Sequence, residues 1–276
     1  MTRSILITGC SSGIGYHCAH ALHARGWNVL ATCRKPEDAE RLRAEGLTCG
    51  VLDLSDTDSI TAGLSWALDQ TGGTLDALFN NGAFGLPGAV EDLPTDGLRE
   101  IFETNFFGWH DLTRQVIPVM RAQGHGRIVQ NSSVLGFITY KWRAAYVSTK
   151  FALEGLTDTM RLELNGSGIH VVLIEPGPVT SKIRENARSH FERWIDWENS
   201  ALSDLYRDTL LKRLYEDKDK PDAFELPPDA VAKKLIHALE AGRPRPRYYV
   251  TVPTYFMGAM KRLLPTRALD WLIDKG

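Results

Sequence analysis

Tyr146 and Lys150 stand four residues apart in the stretch Tyr-Val-Ser-Thr-Lys. On a helix this spacing puts the phenol and the ammonium on one face, pointing into the same space. A nearby ammonium stabilises the phenolate and lowers the phenol pKa from its ordinary value of about 10, which suits Tyr146 to donate and accept a proton near neutrality. Ser133 lies upstream across a turn at Gly136, and its hydroxyl suits a hydrogen bond to the same substrate oxygen. Tyr-x-x-x-Lys by itself is weak evidence, because it recurs by chance on many helices with the lysine simply solvated. Its meaning depends on what the rest of the chain places beside it.

The amino terminus changes those odds. Ser4 to Thr8 is a short apolar run of strand type, Gly9-Cys-Ser-Ser-Gly13-Ile-Gly15 follows at once, and a helical pattern runs from Ile14 to Ala24. Strand, glycine turn and helix form a dinucleotide-binding geometry: the glycines let the backbone approach a pyrophosphate, and the helix N-terminus offers free N–H groups and partial positive charge. With this loop, Ser133, Tyr146 and Lys150 in one chain and in that order, the sequence resembles the short-chain dehydrogenase/reductase family. The similarity runs from Thr8 to Ser181. Within the family it is greatest to the hydroxysteroid, retinol and related carbonyl-reducing members, through Thr8-Gly-Cys-Ser-Ser-Gly-Ile-Gly15 and Tyr146-Val-Ser-Thr-Lys-Phe-Ala-Leu-Glu-Gly155.

The resemblance implies roles residue by residue. Gly9, Ser11, Ser12, Gly13 and Ile14 would cradle the cofactor phosphates. Asp53, with Leu54 after it, corresponds to the residues at the adenine. Asn80 begins Asn-Asn-Gly-Ala where the family has Asn-Asn-Ala-Gly, a swap that moves the position free to adopt positive φ. Asn105 matches a helix asparagine whose backbone carbonyl holds a water in the proton relay. Pro176, Gly177, Val179 and Ser181 fall on the motif that binds the nicotinamide carboxamide, with Thr180 as a competitor for the hydroxyl role. Catalysis falls to Asn105, Ser133, Tyr146 and Lys150, the last also on the nicotinamide ribose, and Leu135 and Trp142 flank the catalytic stretch as substrate-pocket candidates.

Coenzyme choice turns on the end of the second strand. Enzymes that prefer NAD hold the ribose hydroxyls with an acid there. This chain has Cys33 followed by Arg34 and Lys35, which suit a 2′-phosphate, so NADP(H) is the expected cofactor.

The elements that must position these groups alternate along the chain. Strands are expected at 27–32, 49–53, 75–79, 127–131, 169–174 and 247–251, and helices at 36–45, 59–70, 95–123 with a kink at Pro118, 143–164 and 227–241. Such alternation gives an α/β fold, a doubly wound parallel seven-stranded sheet of Rossmann type with helices on both faces and ligands at the carboxyl ends of the strands. A length of 276 residues, 43% of them hydrophobic, fits one such domain over 1–276. Residues 182–225 read as a substrate-binding helical insertion with Phe191, Trp194, Trp197, Tyr206 and Tyr215, each equally readable as ordinary core. Residues 253–276 read as an amphipathic tail. Such a tail covers a subunit interface or the substrate cleft by preference, and lies on a membrane surface in the less favoured reading.

Composition excludes several classes. A net charge of −2 gives no basic surplus for nucleic acid. Cys10, Cys18, Cys33 and Cys49 form no C-x-x-C pair, which points to reduced cytoplasmic thiols. His17, His20 and His23 step by three along a helix flank without the spacing of a metal site, so no metal is expected. Cytoplasmic localisation and a homodimer or homotetramer follow as expectations.

The expected function is hydride transfer between NADP(H) and a hydrophobic ketone, aldehyde or alcohol. Steroids, retinoids and long-chain or aromatic aldehydes are candidates. The segment after Ser181 is rich in aromatics and has no evident basic cluster placed for a phosphate or carboxylate, so the substrate is expected to be uncharged. Two rival readings share the fold: a nucleotide-sugar epimerase or dehydratase, and a non-catalytic NADP-sensing binding protein.

Overall fold

The computed structural model describes residues 2–216 and 221–275. Residues 217–220 of the expected 182–225 insertion, Gly276 of the expected tail and Met1 lie outside that range. The sheet has seven parallel strands: β1 (Ser4–Ile7), β2 (Asn28–Cys33), β3 (Thr48–Val51), β4 (Ala77–Asn80), β5 (Gly126–Asn131), β6 (Ile169–Glu175) and β7 (Arg247–Tyr249). Their order is β3-β2-β1-β4-β5-β6-β7. Chain order reverses between β1 and β4, and a crevice opens at the carboxyl ends of those two strands.

Residues alternate across the sheet as period two demands. Ile5, Ile7, Val29 and Ala31 face one core with helices α1 (Gly13–Ala24), α2 (Pro36–Ala44) and α10 (Asp229–Glu240). Leu6, Leu30, Leu78 and Ile128 face the other, with α3 (Thr57–Asp69), α5 (Gly108–Gln123) and α6 (Ala144–Glu163). Between β4 and β5, α4 (Thr95–Phe102) joins α5 through a wide π turn at Glu103–Phe107. The sequence placed its irregularity at Pro118, which instead lies inside the continuous α5. The distortion falls at Asn105 because its side chain bonds the backbone of Phe84 on both sides: Phe84 N–H donates to Asn105 Oδ1 at 3.0 Å, and Asn105 Nδ2 donates to Phe84 O at 2.8 Å. Widened turns of this kind mark functional sites.

After β6 come α7 (Ile183–Trp194), then short helices α8 (Ser203–Leu205) and α9 (Lys212–Tyr215) joined by a second π turn, Tyr206–Leu211. These pack into a third core with Phe84, Leu86 and Ile101. β7 is shorter than expected because Val252 and Pro253 begin a new helix, Pro fitting the first turn. The tail is two helices, α11 (Val252–Leu263) and α12 (Thr266–Lys275), broken at Pro265.

Candidate active site

The glycine loop closes on the start of the β4 loop. Gly9 has φ +70, and a Cβ there would run into Gly82. Gly82 is not at positive φ. What it needs is room, since a Cβ would meet Leu54 Cδ1 at 2.9 Å and Gly9 at 3.3 Å, so the Gly82-Ala83 order serves close approach rather than an unusual turn. Thr8 Oγ1 accepts from the N–H groups of Asn81 and Gly82 at 2.9 and 3.1 Å. Asn81 Nδ2 in turn donates to the carbonyls of Thr8 and Gly9 at 3.0 and 3.1 Å. Asn80, named from the sequence, has its side chain elsewhere: it is fully buried, with Nδ2 donating to Thr113 Oγ1 at 2.9 Å. Only its backbone is free to face a ligand, because a strand residue turns its side chain into the sheet face.

Asn131 Nδ2 donates to Asn81 Oδ1 at 2.9 Å, and its carbonyl accepts from Lys150 Nζ at 2.8 Å. Lys150 also lies 4.2 Å over the ring of Trp109, whose Nε1 donates to Gly82 O at 2.7 Å. The glycine loop and Lys150 are thus joined through Asn81, Asn131 and Trp109. Sequence reasoning had Asn81 only as part of the Asn-Asn-Gly-Ala motif, with no role of its own, and missed Asn131 and Trp109, which carry no spacing signal. A hydrogen-bonded asparagine pair reaches across neighbouring strands only once the register is known.

Lys150 is 1% exposed, and burial pulls its pKa down to about 7, partly opposed by Glu154 one turn along α6. Tyr146 is pushed up to about 12 by burial, against a hydrogen bond from Ser133 that favours the phenolate. This reverses the expectation of a phenol pKa lowered by its lysine. The ammonium sits 5.5 Å from the Tyr146 ring centre, with its proton given to Asn131, and loss of water outweighs its pull. The sequence showed the spacing but not the burial. Ser133 Oγ accepts from Leu135 N–H at 3.1 Å and lies 3.4 Å from Pro176 O, so its single proton goes either to that carbonyl or to Tyr146. Asn105 is buried in the π turn beside α6.

The cofactor candidates gather at the same strand ends. Gly13 has φ +58 and faces Ser181, whose Cβ would be 3.3 Å from an added methyl. Ser12 caps α1 in extended backbone with no side-chain cap bond, and no acid lies in the first turn, so N–H groups and hydroxyls are available to an anion. Ser11 O accepts from Arg41 at 2.7 Å, and Ile14 packs on the core. Cys33 ends β2 buried, and Arg34 and Lys35 after it are exposed. Asp53 Oδ1 accepts from the Ser55 N–H and hydroxyl at 2.9 and 2.7 Å, and Leu54 packs on Gly82. Leu226 N–H donates to Pro178 O at 3.1 Å and Thr180 N–H to Leu226 O at 3.0 Å. In a parallel bridge of this kind the residue between them, Val179, turns its own N–H and C=O the other way. Thr180 donates its hydroxyl to Glu225 at 2.7 Å and is exposed, while Ser181 faces Gly13. Gly177 packs against Thr251 and Thr254, with no space for a side chain. These features fit a dinucleotide.

On the substrate side, Trp142 holds φ 65, an outlier for so bulky a residue. Gly88 N–H donates to its carbonyl at 3.1 Å, and its ring lies 4.6 Å from Tyr206. Trp142 lines a cleft of about 590 Å³ with Tyr140, Arg143, Leu210, Arg213, Trp271 and other residues of 139–143, 209–213 and 270–274. The tail helix α12 therefore forms one wall of the cleft. Leu135, paired with Trp142 in the sequence reading, is half-buried and does not line the cleft, and neither do Ser133 and Tyr146. Phe191 and Tyr206 are core, the latter donating to Asp92 at 2.8 Å, whereas Tyr215 is exposed and donates to Glu192. The cleft is not purely apolar: Arg143 lies within the influence of Arg213 and Arg184, a basic group that the linear sequence had concealed.

All four cysteines are free and buried. His17 bonds Gly13 O and His20 bonds Glu45. No described helix is long and apolar enough to cross a membrane.

The family profile described as short chain dehydrogenase matches residues 3–192. The chain is 38% identical over 274 residues to the oxidoreductase YbbO of Escherichia coli K12, covering 99% of this chain and 95% of that one. It is 30% identical over 287 residues to an NADPH-dependent 3-dehydrocapnine reductase of Ornithobacterium rhinotracheale, covering 99% and 96%. Among solved structures, a short chain dehydrogenase/reductase from Burkholderia phymatum in complex with NAD superposes with a TM-score of 0.78 at 25% identity, covering 95% and 92%.

Proposed function

The chain belongs to the short-chain dehydrogenase/reductase family, and from that premise we propose that it is an NADP(H)-dependent oxidoreductase interconverting a hydrophobic ketone or aldehyde and its alcohol. The observation that carries the reading is the joining of Lys150, one turn along α6 from Tyr146, to the glycine loop through Asn131 and Asn81.

When bound, the cofactor supplies or accepts the hydride. Tyr146 gives its proton to the carbonyl oxygen, and a phenol held at about 12 keeps that proton at neutral pH, ready for the reductive direction. Ser133 bonds and orients the same oxygen. Lys150, poised near 7, exchanges a proton with the phenol side of the site and holds the nicotinamide ribose. Asn105, locked on Phe84, supports a water leading to solvent. Gly9, Ser11, Ser12, Gly13 and Ile14 hold the phosphates, Asp53, Leu54 and the Asn80 backbone hold the adenosine, and Pro176, Gly177, Val179 and Ser181 hold the carboxamide. Arg34 and Lys35, with Cys33 in place of an acid, favour the 2′-phosphate. The name of the Ornithobacterium relative agrees with NADPH, and the Burkholderia structure holds NAD.

The reading includes a single Rossmann domain, with the 182–225 region on the substrate, acting in the cytoplasm as a homodimer or homotetramer; sedimentation tests the last point. The main test is a panel of hydrophobic ketones and aldehydes assayed with NADPH and NADH through the absorbance of reduced nicotinamide. Turnover of several with NADPH supports the proposal. Turnover only of sugar nucleotides overturns it.

A further inference from the structure

Helix α11 turns its apolar side away from the protein. Val252, Phe256, Ala259 and Leu263 recur at helical intervals, which gathers them within about 60° of the helix circumference. Such a stripe ordinarily faces a core, yet Val252 is 61%, Phe256 49% and Leu263 73% exposed, and Ala259 is exposed with them. The inward face is instead Thr254 and Gly258, both buried. The hydroxyls of Thr251 and Thr254 bond each other at 3.0 Å, and Gly258 packs so closely on Tyr249 that a Cβ would meet its ring at 2.6 Å. Single exposed apolar side chains need no explanation, but a continuous stripe of them marks a surface that something covers.

The flank of the stripe points to what covers it. Tyr255, 50% exposed, and Arg262 lie two turns apart along one edge. They border a cleft of about 220 Å³ lined also by Lys234, Arg245, Arg247, Tyr248 and Tyr249, with no acid among its lining residues. Arg247 is held by Glu154, Asp158 and Glu175. Lys234, Arg245 and Arg262 form no ion pair among the described residues, and Lys234 reaches only the Tyr255 hydroxyl, at 3.5 Å. α11 itself carries no acid. A second copy seated on this face about a two-fold axis brings these cations towards their own images, and like charges across an interface oppose it. An anionic lipid surface matches both parts, with acyl chains for the stripe and headgroup phosphates for the cations.

We propose that α11 lies in the surface of an anionic lipid bilayer, with Val252, Phe256, Ala259 and Leu263 among the upper acyl chains and Lys234, Arg245 and Arg262 at the headgroup phosphates. Tyr255, between the two, suits the headgroup level. At 12 residues α11 is too short to span a bilayer and lies along it. It begins at the carboxyl end of β7 and packs on the 134–136 turn after Ser133, so the docked surface adjoins the end of the sheet where the catalytic candidates gather. The linear sequence set a membrane below a subunit interface for this tail; the exposed stripe and the unpaired cations beside it reverse that order.

The test is co-sedimentation of the full chain with vesicles of phosphatidylglycerol and phosphatidylcholine in equal parts, and with vesicles of phosphatidylcholine alone. Wild type is expected to partition onto the mixed vesicles at least tenfold more strongly, and to lose that preference at high salt. Phe256→Glu and Leu263→Glu should each weaken partitioning by roughly tenfold or more. Replacing Lys234, Arg245 and Arg262 with glutamine should remove the preference for mixed vesicles, at about fivefold for each cation. Circular dichroism confirms that each variant is folded, and sedimentation velocity without vesicles is expected to give wild type and the glutamate variants the same oligomeric state. Failure of wild type to bind mixed vesicles overturns the proposal, as does equal binding to the two compositions or binding that survives both glutamate substitutions. Subunits that separate in the glutamate variants show that a second copy covers the stripe, which overturns it as well.

Discussion

Replacing Lys150 with methionine should abolish turnover and, at low pH, make the cofactor-free protein more stable. The side chain is 1% exposed and its pKa is lowered by burial from 10.5 to about 7. At about 1.4 kcal/mol per pH unit, the distance between those values caps the cost of folding around the charge at about 5 kcal/mol. The unfolded chain holds the proton up to 10.5 and the folded chain only to about 7, so stability of the wild type rises with pH between them. The cost is fully present below about 7 and is gone above 10.5. Methionine matches lysine in length and carries no charge, but it leaves Asn131 O without its donor, a loss of about 1–2 kcal/mol. The balance is a gain of about 3 kcal/mol at pH near 6, or roughly 6–9 °C in Tm. Thermal unfolding by circular dichroism, without cofactor, at pH near 6 and again above 9 measures it. A variant less stable than wild type at the lower pH would refute the argument, because it would mean that Asn131 and the Trp109 face more than offset the desolvation of the ammonium.

Three other variants probe separate parts of the site. Tyr146→Phe should lower kcat by roughly a hundredfold to ten-thousandfold, the usual worth of a positioned proton donor, while NADPH still binds by fluorescence titration. Arg34→Ala should raise KM for NADPH by roughly tenfold or less and leave NADH unchanged, since the residue is exposed and salt screens it; Cys33→Asp should shift preference towards NADH, and a wild type that prefers NADH would show the assignment to be wrong. Arg247→Met removes the cation shared by Glu154, Asp158 and Glu175 and should cost about 3–5 kcal/mol. Because burial already raises Glu175 from 4.5 to about 8, its protonated form favours the fold and stability falls as pH climbs between those values. The variant should therefore lose more in urea titration at pH near 8 than at pH near 5, and an equal loss at both would count against the carboxylate argument.

What the sequence made legible is what repeats or has fixed spacing. Alternating apolar residues such as Ile5, Leu6 and Ile7 fall on opposite faces of β1, and a glycine run between strand and helix can serve few purposes. Contacts between distant residues were not legible. Asn81, Asn131 and Trp109 meet Lys150 only after β1, β4 and β5 are in register. The π turn depends on Asn105 finding the backbone of Phe84, which no helical pattern announces. Arg143, Arg184 and Arg213 sit on three separate segments, each unremarkable alone, and become a basic group only when α9 is laid against the start of α6. Proton affinities were the least legible, since spacing gives the partner of a titrating group but not the water it has lost.

That last point bears on why Lys150 keeps any charge for the site. Glu154 lies one turn further along α6 and favours the ammonium, so it is a ready counter-ion. Its carboxylate, however, is held by Arg247, which also bonds Glu175 at 2.6 Å and Asp158 at 2.7 Å. One guanidinium thus gathers three acids, two of which, Glu154 and Asp158, lie on the Lys150 face of α6. Lys150 therefore owes its lowered pKa to burial, while Arg247, reaching across from β7, satisfies the acids that share its helix face.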